Sequence, residues 1–204
     1  MKEATDHLEE LKEIRNLMER SSRFISLSGL SGIFAGVFAL AGAAVAYWFI
    51  HSYIRINLPN IDQTEIYLFF FVDAAITLTL ALFAGIFFTT RQAKKKGQKI
   101  WDKTSQRLII NVAIPLIAGG FFILALLLNN VVNLIAPASL IFYGLALLNG
   151  SKFTLEDIRY LAYSEIALGI VSCFLIGYGL LFWSIGFGIL HIIYGAVMYF
   201  KYEK

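Results

Sequence analysis

Four polar residues stand inside stretches otherwise fit for hydrocarbon: Asp73, Asn111, Glu165 and His191. Residues 164–177 read SEIALGIVSCFLIG, with Glu165 as the sole charge. A charge at mid-bilayer costs at least ~2.5 kcal/mol, so such a residue either is held by a partner or exchanges a proton or ion. The spacing around each one is informative. On a helix Glu165 shares its face with Gly169, Cys173 and Gly177, and Asp73 shares its face with Thr77, Ala81 and Gly85. His191 lies between Gly188 and Gly195, and Asn111 precedes Pro115 and Gly119. Small residues at this spacing let helix backbones approach, so the four polar side chains are expected to point into a bundle as an intramembrane polar cluster. Ser28, Gly32 and Gly36 continue the pattern, and Gly32, Gly36, Gly169, Gly188 and Gly195 are the expected packing positions.

Depths follow from ~1.5 Å of rise per residue. Glu165 is ~9 Å inward from Arg159, His191 ~15 Å inward from Lys201, and Asp73 ~10 Å from the opposite end of its helix. A chain Asp73, His191, Glu165 across the membrane is therefore geometrically allowed. The competing structural account pairs Glu165 with Arg107 or Arg159, bonds Asp73 to Tyr67 or Thr77, and leaves His191 a neutral core residue.

No catalytic motif accompanies these residues. There is no His-Glu-x-x-His, no Gly-x-Ser-x-Gly and no glycine-rich phosphate loop in the sequence. His7, His51 and His191 are too dispersed for a metal site. Neither an enzyme activity nor a cofactor is expected, and the single Cys173 excludes an internal disulfide.

The elements that must position the polar residues are apolar helices. The chain has 204 residues, 58% of them hydrophobic, and a mean hydropathy of +0.71, above the ~45–50% apolar share of a soluble domain. Long uncharged runs alternate with short charged segments, the pattern of spanning helices. The expected spans are residues 24–50, 66–90, 108–128, 131–150, 160–181 and 184–200. The uncharged run 108–151 is about twice the length of a ~30 Å bilayer core and must turn back, with Asn129-Asn130 as the natural turn. A second turn is expected near Phe182-Trp183-Ser184, where aromatic side chains suit an interface. The fold expected is all-α, a polytopic membrane protein with six transmembrane helices as three hairpins, residues 23–204 forming the bundle. The first run is too long for a signal-peptide core.

With six spans, sixteen of the seventeen Lys and Arg residues fall on one side and Arg55 alone on the other. The excess of Lys and Arg in cytoplasmic loops places both termini in the cytoplasm. Residues 1–22 carry Leu8, Leu11, Ile14 and Met18 at three- and four-residue spacing, an amphipathic helix that lies on lipid or docks a protein partner or a second copy. The basic run RQAKKKGQKIWDK is a juxtamembrane loop suited to anionic lipid, and nucleic acid is not an expected partner. A faint internal repeat is visible in Arg23, Gly36, Phe38; Arg107, Gly120, Phe122; and Arg159, Ser172, Phe174. Ile-Phe-Tyr-Gly from Ile141 and Ile-Ile-Tyr-Gly from Ile192 add to it, suggesting hairpins in parallel orientation.

The stretches SSRFISLSGLSGIFAG (residues 21–36) and YLAYSEIALGIVSCFLIGYGLLFWSIGFGILHIIYG (residues 160–195) resemble an uncharacterised family of bacterial six-helix integral inner-membrane proteins of about this length. The resemblance covers nearly the whole chain and brings no activity or residue roles. Because a winged-helix transcription regulator often accompanies members, it implies a regulatory or sensory setting. The expected function is thus a non-enzymatic regulatory or sensory component of the bacterial inner membrane. The alternative is a small transporter or ion- or proton-conducting protein using Asp73, Glu165 and His191.

Overall fold

The computed structural model describes residues 27–54, 62–97 and 100–204. Among them six helical rods follow one another: α1 (Gly29–Ile54), α2 (Gln63–Lys95), α3 (Lys103–Leu128), α4 (Val132–Gly150), α5 (Ile158–Phe174) and α6 (Gly179–Tyr202). Five of these, all but α5, are long and apolar enough to cross a membrane, and the protein is a multi-pass membrane protein. The expected amphipathic segment bearing Leu8, Leu11, Ile14 and Met18 lies outside the described residues.

Helix ends are written locally where the chain leaves the apolar runs. Asp102 accepts a hydrogen bond from the Ser105 amide at 2.7 Å, and Ser105 Oγ accepts one from the Asp102 amide at 2.9 Å, closing a capping box on α3. Asp62 accepts from the Thr64 amide at the start of α2. The start of α1 is capped from a distance instead: Glu203, just past α6, accepts from the Gly29 amide and from Ser28 Oγ.

Glycines set which rods touch. A Cβ on Gly32 would lie 3.1 Å from Gly195 Cα, and one on Gly36 would lie 2.6 Å from the Gly188 carbonyl oxygen, so α1 and α6 meet backbone to backbone. Likewise a Cβ on Gly144 would lie 2.8 Å from the Ala162 carbonyl oxygen, and one on Gly169 would lie 3.0 Å from the Pro137 carbonyl oxygen, holding α4 to α5. Helix α2 leans on α1 through Thr77 against Gly42 and a stack of Phe49 on Phe69, ring centres 3.6 Å apart. Helix α3 leans on α4 through Gly119 beneath Phe142.

The result is two halves. One contains α1, α2 and α6; the other contains α3, α4 and α5. They join where α6 meets α4 and α5. The expectation of three hairpins therefore needs revision at the third pair: α5 packs along α4 and α6 along α1, although the two are consecutive. The reversal between them also falls earlier than expected. Phe182-Trp183-Ser184 is helical, and the chain turns at residues 175–178, where Gly177 has φ +98°. A side chain is strained at that φ, so a glycine is what allows the turn. The rods in place of the expected 160–181 and 184–200 are consequently Ile158–Phe174 and Gly179–Tyr202, and Gly177 leaves the face it would have shared with Glu165.

Candidate functional site

Glu165 lies on α5 with its whole residue buried, 0% exposed, and it faces α6 across the join between the halves. Its neighbours on the buried face of α5 are Leu161, Ala162, Gly169 and Ser172, while Cys173 is only half-buried. Opposite, α6 widens into a π-helical stretch at Ser184–Leu190, a local form frequent at functional sites. Within it Gly186 has no side chain, and a Cβ there would fall 2.5 Å from Glu165 Oε2. The carboxylate occupies the space that the glycine leaves.

His191 begins the next turn and is 6% exposed. Its Nδ1 is 3.5 Å from Glu165 Oε1 and 3.0 Å from the Gly186 carbonyl oxygen, while Nε2 is 2.7 Å from the Tyr143 hydroxyl on α4. A carbonyl only accepts, so Nδ1 carries the proton; in the neutral ring Nε2 then accepts from Tyr143. Protonating the ring would reverse the second bond, with Nε2 donating to the tyrosine oxygen. One added proton thus separates two arrangements: a carboxylate beside a neutral imidazole, with one net negative charge, and the protonated pair, with net charge zero, in which the proton sits on the carboxyl or on the imidazole. Neither oxygen of Glu165 has a hydrogen-bond partner among the described residues, so the carboxyl is free to adjust to either.

The surroundings differ above and below. Toward the 175–178 turn, His191 stacks on Phe187, which meets Tyr143 and Trp183 with ring centres 4.9 and 5.0 Å away. Toward the C-terminus comes a polar group: Asp157, preceding α5, accepts from Lys201 Nζ at 2.9 Å and from the Tyr202 hydroxyl. Burial pushes the Asp157 carboxyl up, but the hydrogen bonds from Tyr202 and Lys201 outweigh it and hold the group below its ordinary value.

The other expected members of the cluster lie elsewhere. Asp73 is half-buried on α2, whose main neighbour is α1, and it makes no hydrogen bond or ion pair among the described residues. Tyr67, offered as its partner, donates instead to Asn130 at 3.2 Å. Asn111 is satisfied within α3, donating to the Arg107 carbonyl at 2.8 Å. The relay Asp73, His191, Glu165 is thus not assembled; Glu165 and His191 meet without it. Sequence reasoning missed Tyr143, whose only advance signal was the shared Tyr-Gly of Ile-Phe-Tyr-Gly and Ile-Ile-Tyr-Gly. Among the described residues no group of three or more His, Cys, Asp or Glu could hold a metal ion.

Compared with protein-family models, curated proteins and solved structures, the chain finds no match. The functional reading rests on the geometry.

Proposed function

We propose that this protein is a non-enzymatic regulatory or sensory component of the bacterial inner membrane, with the Glu165, His191 and Tyr143 cluster as its responsive element. The observation that carries the reading is a fully buried carboxyl 3.5 Å from a buried imidazole, in the join between two three-helix halves. In a low-dielectric interior, adding one proton to the pair, which takes it from one net negative charge to zero, changes the forces across that join by more than it would in water. A change in protonation therefore biases how the halves sit, which is what a sensor needs. The topology belonging to this reading is six spans with both termini cytoplasmic. Helix α5, at 17 residues, is ~26 Å long and crosses most of a ~30 Å core. The resemblance to bacterial inner-membrane proteins, and docking of a partner or second copy through Leu8, Leu11, Ile14 and Met18, are part of the same proposal.

The test labels the exposed Phe83 on α2 and Ile117 on α3 after cysteine replacement, in a Cys173→Ser background reconstituted in liposomes. The label separation is expected to change with pH, and Glu165→Gln to flatten that change. An identical profile in the variant would sink the reading. A second reading, a small proton- or ion-conducting protein, is favoured by Ser172, whose buried Oγ also lacks a hydrogen-bond partner and continues the line beyond Glu165 on α5. Proton or sodium flux in the same liposomes, abolished by Glu165→Gln, would select it.

A further inference from the structure

Among the described residues, the buried side-chain oxygens with no hydrogen-bond partner are Glu165 Oε1 and Oε2, Ser172 Oγ and Tyr194 Oη. All of them lie on α5 or α6, along the join. Inside a bilayer an unpaired polar group is expensive, and such groups in native proteins are commonly satisfied by ordered water. Tyr194 stands three residues beyond His191 on α6, ~4.5 Å nearer the C-terminal end. Its hydroxyl is within electrostatic reach of Asp157, Tyr202 and Tyr143. These come from the start of α5, from its own helix and from α4; α1, the remaining neighbour, has no titratable residue between Gly29 and Ala46. In the other direction His191 meets the rings of Phe187 and, through it, Trp183.

We propose that ordered water, relayed by the Tyr194 hydroxyl, connects the Glu165 and His191 pair to the Asp157, Lys201 and Tyr202 group. The pair would then exchange protons with the face of the membrane that carries the C-terminus and not with the other. The step balances without a co-reactant: a hydronium near Asp157 passes a proton to Tyr194 Oη as the tyrosine releases its own proton inward. The tyrosine ends neutral, and one proton is added to the pair. In the opposite direction the rings of Phe187 and Trp183 close the α6 side, and Ser172 Oγ, two turns beyond Glu165 on α5, stands ~10.5 Å away along the helix, too far to pass a proton to the carboxyl directly. This inference rests on the reading that the pair changes protonation, and its test separates the two.

Full-length protein is reconstituted in vesicles sorted by orientation, and the carboxyl stretch of Glu165 is identified in the infrared as the band that Glu165→Gln removes. A pH jump is then applied to one face at a time. The band is expected to respond to a jump on the C-terminal face alone. Tyr194→Phe, which deletes only the hydroxyl, should slow that response by about tenfold or more, in line with the loss of a positioned proton carrier. Tyr202→Phe should slow it less, with the melting temperature of Tyr194→Phe unchanged. Equal response from both faces, or an unchanged rate in Tyr194→Phe, overturns the one-sided entrance while leaving the responsive pair standing. No response to a jump on either face overturns both.

Discussion

A single methyl group at Gly186 would fall 2.5 Å from Glu165 Oε2 and 2.5 Å from Leu140 Cδ2. Overpacking of this kind costs about 1–3 kcal/mol, so Gly186→Ala should lower the melting temperature in detergent. Combining it with Glu165→Ala should cost less than the sum of the two single changes, because one clash is shared; strict additivity would show that the carboxyl and Gly186 are not neighbours in the folded protein. Asp157 offers a pH-dependent test. Its folded pKa is depressed, so its contribution is present above the ordinary value of 3.8 and is lost as pH falls through the lower folded value. Lys201 is solvent-exposed, which keeps the contribution small. A shallow acid loss below about pH 4 is expected in the wild type and should be missing in Asp157→Asn. Glu165 and His191 were legible because an ionisable group in an apolar run must be accommodated somehow. Tyr143 and Tyr194 were not, because tyrosine in a span is as much an interfacial or packing residue as a hydrogen-bonding one.

At the level of the helix, the glycines divide into two kinds that composition alone does not separate. A Cβ on Gly195 would lie 2.5 Å from the Ile33 amide nitrogen and 2.6 Å from the Gly29 carbonyl oxygen, both backbone atoms that cannot rotate away. A Cβ on Gly85 or Gly120 would meet nothing within 4 Å. Gly195→Ala should therefore separate α1 from α6 and destabilise the fold. Gly85→Ala and Gly120→Ala should leave it unchanged or more stable by up to about 1 kcal/mol, the difference in helix propensity. Thermal denaturation in one detergent ranks the three, and equal losses would contradict the packing described. Small residues four apart disclosed that close approach was available, but Gly85 sits in the same kind of row as Gly36. Which row meets a helix and which meets lipid depends on neighbours, and periodicity does not encode neighbours. The turn after α5 was misplaced for a related reason. Gly177 is one of 16 glycines, and nothing local marks it as a turn glycine with positive φ, whereas the aromatic group at 182–184 resembled an interface.

For the molecule as a whole, the proposed threading makes a direct claim about sides. A reporter active only in the cytoplasm should work when fused after Lys96 or Lys204 and fail when inserted at Asn130, the turn residue between α3 and α4 with φ 58°. Activity at Asn130 would require a different number of crossings. Five of the six expected spans were readable from charge-free runs as rods long and apolar enough to cross, because a bilayer core demands length and apolarity above all else, and α5 falls short of that length. The division into two halves was not readable, since α6 pairs with α1 rather than with the α5 that precedes it.

That pairing of the earliest described rod with the latest has a consequence for biogenesis. A chain leaving the ribosome delivers α1 to the membrane long before the glycine face of α6 exists to meet it, and Glu165 arrives before His191. Until α6 is inserted, α1 presents its glycine row to lipid, Glu203 is not yet there to cap Gly29, and the carboxyl on α5 has no imidazole beside it. The nascent intermediate is therefore the form most exposed to membrane quality control. In a pulse-chase experiment, a chain ending at Tyr178 should be cleared markedly faster than the full-length protein, and co-expression of α6 as a separate segment should slow its clearance.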